Sequence, residues 1–108
     1  MEFLEAFAES QELQRAFTSY PLVQQQMDVA ANPEPKPFVR SLERSQVKFP
    51  VLPSKAERKA KSLDVRVDPL TSREARLTLF QNDTDYQVSY FFRRGSCWEL
   101  ERIEDASL

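Results

Sequence analysis

Tyr86-Gln87-Val88-Ser89-Tyr90-Phe91-Phe92-Arg93, followed by Arg94-Gly95-Ser96 and then Cys97-Trp98-Glu99-Leu100, is the stretch that decides the fold. Side chains alternate across an extended chain with period two, so Tyr86, Val88, Tyr90 and Phe92 share one face. Gln87, Ser89, Phe91 and Arg93 share the other. Arg94-Gly95-Ser96 reads as a turn, with Gly95 the natural residue for a positive φ. Trp98 and Leu100 then resume one face, against Cys97, Glu99, Glu101 and Ile103. Upstream, Gln81-Asn82-Asp83-Thr84-Asp85 supplies turn chemistry. Ala75, Leu77 and Leu79 alternate against Arg76, Thr78 and Phe80, and Leu63, Val65 and Val67 against Asp64 and Arg66. The pattern predicts an antiparallel meander of three or four strands.

Further towards the N-terminus the signals become mixed. Pro53-Ser54 before 55–61 predicts a short polar helix capped by Ser54. In 38–52 two patterns compete: Phe38, Val39 and Leu42 suit a helix, whereas Val47, Phe49 and Val51 alternate like a strand. Pro50 within that alternation fits an edge strand or a bulge. Residues 32–37 place proline at every second position, a stiff extended connection within one domain that also reads as a proline-recognition ligand. A short strand is expected over 22–28. Residues 2–16 read as a helix in which Phe3, Phe7, Gln14 and Phe17 follow three- and four-residue spacing, with Leu4 and Leu13 alongside. Glu2, Glu5, Glu9 and Glu12 line its other side, near the N-terminal end where the helix dipole favours acids. It should end before Tyr20-Pro21. One helix in front of a sheet predicts a single α+β domain over 1–108.

Composition sets limits on function. The 108 residues suffice for one domain, and 41% hydrophobic with 11% aromatic content is ample for a core. Histidine is absent, which removes the usual general base, the commonest metal ligand and every Ser-His or Cys-His nucleophile. One cysteine excludes an internal disulfide and a Cys-based zinc site; one glycine excludes a glycine-rich phosphate loop. No cofactor and no metal are therefore expected. No stretch approaches the roughly 18 apolar residues of a membrane span. The net charge of −2 makes no field for nucleic acid.

Charge is nevertheless segregated. Residues 1–35 carry one basic and six acidic side chains, residues 36–66 nine and three, and residues 67–108 five and eight. Within the basic block, Lys55, Arg58, Lys59 and Lys61 can form a face that docks an acidic partner through 55–66. The alternative is a solvated helix and edge strand that complement the acidic N-terminal helix. No aromatic residues interleave the cluster, as base stacking would require.

The ending carries a resemblance. Asp83-Thr84-Asp85-Tyr86-Gln87-Val88-Ser89-Tyr90-Phe91-Phe92, Trp98-Glu99-Leu100 and Ile103-Glu104-Asp105-Ala106-Ser107 together resemble the C-terminal signature of a family of bacterial lipoproteins whose domain has no known function. The opening is similar as well: a helix with phenylalanines, then Arg15 and Tyr20-Pro21-Leu22, with Phe49-Pro50 where a second such step falls. The family is similar in fold to the nuclear-transport-factor-2-like cone, a curved antiparallel sheet wrapped round helices. The resemblance implies a periplasmic or outer-membrane protein, lipid-anchored in its precursor; Cys97, deep in the last hairpin, is not that anchor. It carries no catalytic residues. Met1-Glu2-Phe3-Leu4-Glu5 is acidic and amphipathic, not a signal peptide. Two readings follow: a leader has been removed, or Met1 is the native start and the protein is cytoplasmic.

Three function classes remain. Phe80, Tyr86, Tyr90, Phe92 and Trp98 can line a pocket for a small apolar ligand, or simply pack as core on Phe3, Phe7 and Phe17. The leading expectation is a non-enzymatic binding or interaction module in the bacterial envelope. An enzyme would need a Tyr/carboxylate pair in the same pocket, with Tyr86, Tyr90 or Trp98 as donor. The alternation places no carboxylate on that face between Tyr86 and Phe92, leaves Asp83 and Asp85 in a turn, and points Glu99 and Glu101 away; Glu104 and Asp105, near the end, could fold back, but nothing requires it. Cys97 lacks a histidine to activate it, and Arg93 and Arg94 beside it lie at a turn. The third class is the adaptor with the basic segment. On the opposite sheet face, Gln87, Ser89, Phe91 and Ile103 suit a sheet-to-sheet homodimer, and a protein partner is a further candidate.

Overall fold

A computed structural model describes residues 2–28 and 30–107. In chain order the elements are α1 (Glu2–Glu9), α2 (Gln11–Ala16), β1 (Thr18–Asp28), β2 (Lys36–Leu42), a 3-10 turn (Arg44–Gln46), α3 (Lys55–Ala60), β3 (Asp64–Thr71), β4 (Glu74–Phe80), β5 (Gln87–Arg94) and β6 (Trp98–Asp105). The expected single N-terminal helix is thus two. Ser10 adopts extended backbone and its hydroxyl accepts from the Leu13 N–H at 3.2 Å, which caps α2 and ends α1. Serine competes for backbone groups in this way and so sits better at a cap than inside a helix. α3 begins as expected, with the Ser54 hydroxyl accepting from the Glu57 N–H.

The α+β assignment holds, with a six-stranded sheet in the order β2-β1-β6-β5-β4-β3. The sheet is mixed rather than wholly antiparallel, because β1 runs parallel to β6 while every other pairing is antiparallel. β3 to β6 form the expected meander. β1 is longer than its glutamine-rich sequence suggested and begins at Thr18. The helix-like spacing at Phe38, Val39 and Leu42 lies in β2 instead, paired from Leu22↔Leu42 to Asp28↔Lys36: tertiary pairing outweighs a weak local preference. The two outer strands each carry a proline, Pro37 and Pro69, together with charged residues, features that blunt a sheet edge.

Two further expectations are corrected. In β6 the register slips by one residue: Phe91 pairs with Arg102, but Phe92 pairs with Leu100. Such a bulge reverses the alternation beyond it. Ile103 therefore joins Leu100 and Tyr90 in the core, 7% exposed, instead of lying outside with Gln87, Ser89 and Phe91. Gly95 has no positive φ; Ser62 and Asp83 supply the left-handed residues.

The core lies between α1 and one sheet face. The Phe7 ring meets Phe92 edge-on at 5.2 Å, and Phe3 meets Phe17 and Phe92 at 5.8 and 6.1 Å. Such edge-to-face arrangements are favourable beyond the area they bury. Leu4, Leu22, Leu79 and Leu100 complete the cluster.

Candidate functional site

The expected strand over 47–51 is an irregular strap that crosses from the 3-10 turn to α3. Its backbone bonds to side chains in place of a neighbouring strand. Gln14 of α2, completely buried, accepts from the Val51 N–H at 2.8 Å and the Leu52 N–H at 3.3 Å. Its amide donates to Leu52 O and Phe7 O, each at 3.0 Å. Both donors and both acceptor positions of the amide are thus used. The Tyr90 hydroxyl donates to Val51 O at 2.6 Å, Leu52 is buried in the core, and Arg15 stacks over Phe49 at 5.5 Å.

Where the strap meets the sheet, a cleft of about 470 Å3 opens. Pro50, Val51 and Pro53 form the strap side, Glu57 and Lys61 come from α3 and its C-cap, and Gln81, Tyr86 and Tyr90 come from the sheet. Burial pushes the Tyr90 hydroxyl well above the ordinary tyrosine range, with Tyr86 and Asp105 adding to the effect. Tyr86 is raised too, again by burial first and then by Asp105. Desolvation and a nearby negative charge both disfavour the phenolate, so both hydroxyls are proton donors at neutral pH. Tyr90 has already committed its proton to Val51.

The five ring candidates do not form one pocket. Tyr86 and Tyr90 line the cleft. Phe92 is 1% exposed beneath Phe3 and Phe7, so it is filled core. Trp98 packs half-buried at the far end of the hairpin, opposite Arg94. Phe80 pairs with Gln87 and Asp64 on the opposite sheet face from Leu79 and Val88. The basic candidates separate as well: Lys55 and Arg58 face α1, Lys59 lies beside Asp64 and Asn82, and Lys61 borders the tyrosine cleft.

Sequence reasoning missed the roles of Gln14 and Val51, and left Asp105 as a carboxylate that could fold back. A signal for Gln14 existed, since a polar residue on the apolar stripe of a helix must find partners when buried. Asp105 reaches the tyrosine face through the same β6 bulge that moves Ile103, pairing with Val88; its carboxylate accepts from the Ser107 N–H at 2.9 Å. The span from Tyr86 to Phe92 places no carboxylate on the tyrosine face, as expected; the carboxylate near the two tyrosines comes from β6. Among the described residues no three His, Cys, Asp or Glu side chains group to hold a metal, and Cys97 is exposed. No helix among them is long and apolar enough to cross a membrane.

Two paired helices ahead of a six-stranded sheet whose first strand joins its last have a solved counterpart. The chain superposes over 99% of its length on an NTF2-like protein from Bacteroides fragilis NCTC 9343, with a TM-score of 0.70 and 21% sequence identity. The fold is NTF2-like. This chain spans 46% of that protein's length, so the NTF2-like likeness concerns somewhat less than half of it. No family model and no curated protein matches the sequence.

Proposed function

We propose that this NTF2-like domain is a non-enzymatic binding module that takes a small ligand in the cleft between the 50–53 strap and Tyr86. One observation carries the reading: Tyr86, 36% exposed, offers its ring to a cleft, while Phe7 and Phe92 are spent on the core. An aromatic ring bordered by Glu57, Lys61 and Gln81 suits a ligand with an apolar body and a few polar groups. Binding is favoured over catalysis because Tyr90 has its proton engaged with Val51 and cannot offer it to a substrate. Native mass spectrometry of gently purified protein tests the reading. Retained small-molecule mass that is lost in Tyr86→Ala but kept in Phe80→Ala is expected; equal retention in both variants overturns it.

A second reading, an enzyme using Tyr86 with Asp105, draws on their electrostatic coupling. It requires a turnover that disappears in Tyr86→Phe. The envelope location rests on the resemblance of 83–107 and Tyr20-Pro21-Leu22 to lipoprotein sequences. Fractionation of cells carrying the complete gene tests it, with recovery in the cytosol the contrary result. The outer sheet face, where half-buried Phe91 pairs laterally with Arg76 and Arg102, supports a homodimer. Sedimentation of Phe91→Glu should then report a shift to monomer.

A further inference from the structure

A second concavity, about 400 Å3, lies under α1 on the Lys55–Arg58 side of α3 and shares no residue with the tyrosine cleft. Its floor is purely aliphatic: Leu4 and Ala8 of α1, Val65 and Val67 of β3, and Leu77 of β4. Val65 and Val67 pair with Leu79 and Leu77, which are 1% and 4% exposed, yet they themselves remain 38% and 39% exposed. The core face is thus left uncovered along this strip.

The walls carry opposite charges. Glu5 and Glu9 stand one turn apart on α1, and Lys55 and Arg58 three residues apart on α3. Two tethers hold the walls in place: the Glu9 carboxylate accepts from the Lys55 N–H at 2.8 Å, and the Arg58 guanidinium donates to Pro53 O at 2.7 Å. Even so, none of these four side chains joins an ion pair among the described residues, whereas the ion pairs of Arg66, Arg76, Arg93 and Arg102 all lie on the outer sheet face. Acidic and basic side chains thus border one aliphatic floor without pairing with each other, Glu9 reaching only the Lys55 backbone.

We propose that this groove binds a short aliphatic peptide with both termini free. Its ammonium lies against Glu5 and Glu9, its carboxylate against Lys55 and Arg58, and its side chains cover Val65, Val67 and Leu77. The charge arrangement selects the class. A fatty acid leaves its chain beside two uncompensated carboxylates, and an aliphatic amine leaves the two cations unused, while a zwitterion answers both walls. A guanidinium beside a carboxylate also allows the two-pronged pairing that fixes orientation. The site is independent of the tyrosine cleft, and either can fail alone.

The test is a heteronuclear NMR titration of the whole domain with the dipeptide Leu-Leu, alongside N-acetyl-Leu-Leu and Leu-Leu amide. Saturable shifts centred on Val65, Val67 and Leu77 are expected, with affinity falling at least tenfold when either terminus is capped. Lys55→Gln and Glu5→Gln alter exposed side chains and keep the Lys55 N–H that Glu9 caps. Each should weaken Leu-Leu severalfold at unchanged Tm. No saturable shift, shifts centred on Tyr86, equal binding of the capped peptides, or unchanged binding by both variants overturns the proposal.

Discussion

The ring cluster under α1 and the strap beside it close the same sheet face by different physics. Phe3, Phe7, Phe17 and Phe92 meet as apolar rings, 5.2 to 6.1 Å between centres. The strap is held largely by directional bonds from Gln14 and Tyr90, whose partners lie 37 to 39 residues away along the chain. Ring packing tolerates small shifts and is strong through its area. A hydrogen-bonded amide adds little net when satisfied and costs much when one side is removed. The difference teaches that one side of the core is set by shape and the other by complete polar pairing.

The severest challenge to the ring side is Phe92→Ala. Loss of a fully buried ring should cost about 3–5 kcal/mol in chemical denaturation; a loss under about 1 kcal/mol would show that the cluster collapses freely. On the strap side, Gln14→Leu keeps much of the volume but strands the carbonyls of Phe7 and Leu52 and the amides of Val51 and Leu52. The expected cost is about 2–4 kcal/mol, with faster hydrogen exchange confined to the strap. A cost below about 0.5 kcal/mol would make the strap a plain apolar plug.

Tyr90→Phe removes a single bond and should cost about 1–2 kcal/mol at neutral pH. It also has a signature in alkali. The folded protein holds the Tyr90 proton above the ordinary value of 10.0, so the unfolded chain releases it first. The stabilisation is complete below about pH 10 and is lost as pH rises beyond it, at about 1.4 kcal/mol per pH unit for one proton. The decline should be shallower in Tyr90→Phe, and identical slopes would place the Tyr90 hydroxyl in water. The smallest effect belongs to the hairpin turn outside both regions. Gly95 has no positive φ and nothing within 4 Å of an added Cβ, so Gly95→Ala should change stability by less than about 0.5 kcal/mol.

Legibility in the sequence followed the range of the forces. β3 to β6 were readable because alternation is local and each strand meets the next through a short turn. The α3 cap was readable for the same reason: Ser54 acts on Glu57. The strap was misread because Val47, Phe49 and Val51 alternate like a strand, while the partner of its backbone is one side chain in a distant helix. The face assigned to Ile103 was wrong, and Asp105 was left only as a carboxylate that could fold back, because one bulged residue inverts all that follows it. Of the candidate site, Tyr86 and Tyr90 emerged from alternation. Phe80 was misplaced although its own alternation against Leu79 put it outside. The groove with Val65 and Val67 was invisible, since its floor joins α1 to β3 across the whole middle of the chain.

The parallel pairing of β1 with β6 bears on how the protein is made. Arg102 bonds to Gln25 across 77 residues, and β1 reaches the rest of the sheet only through β6. On the ribosome, the hairpin of β1 and β2 therefore emerges before β6 and waits, two-stranded and marginal by itself, until the sixth strand has been translated. Until then the half-exposed glutamine tract has a partner strand on its β2 side alone, and the arrival of β6 joins the two parts of the sheet in one event.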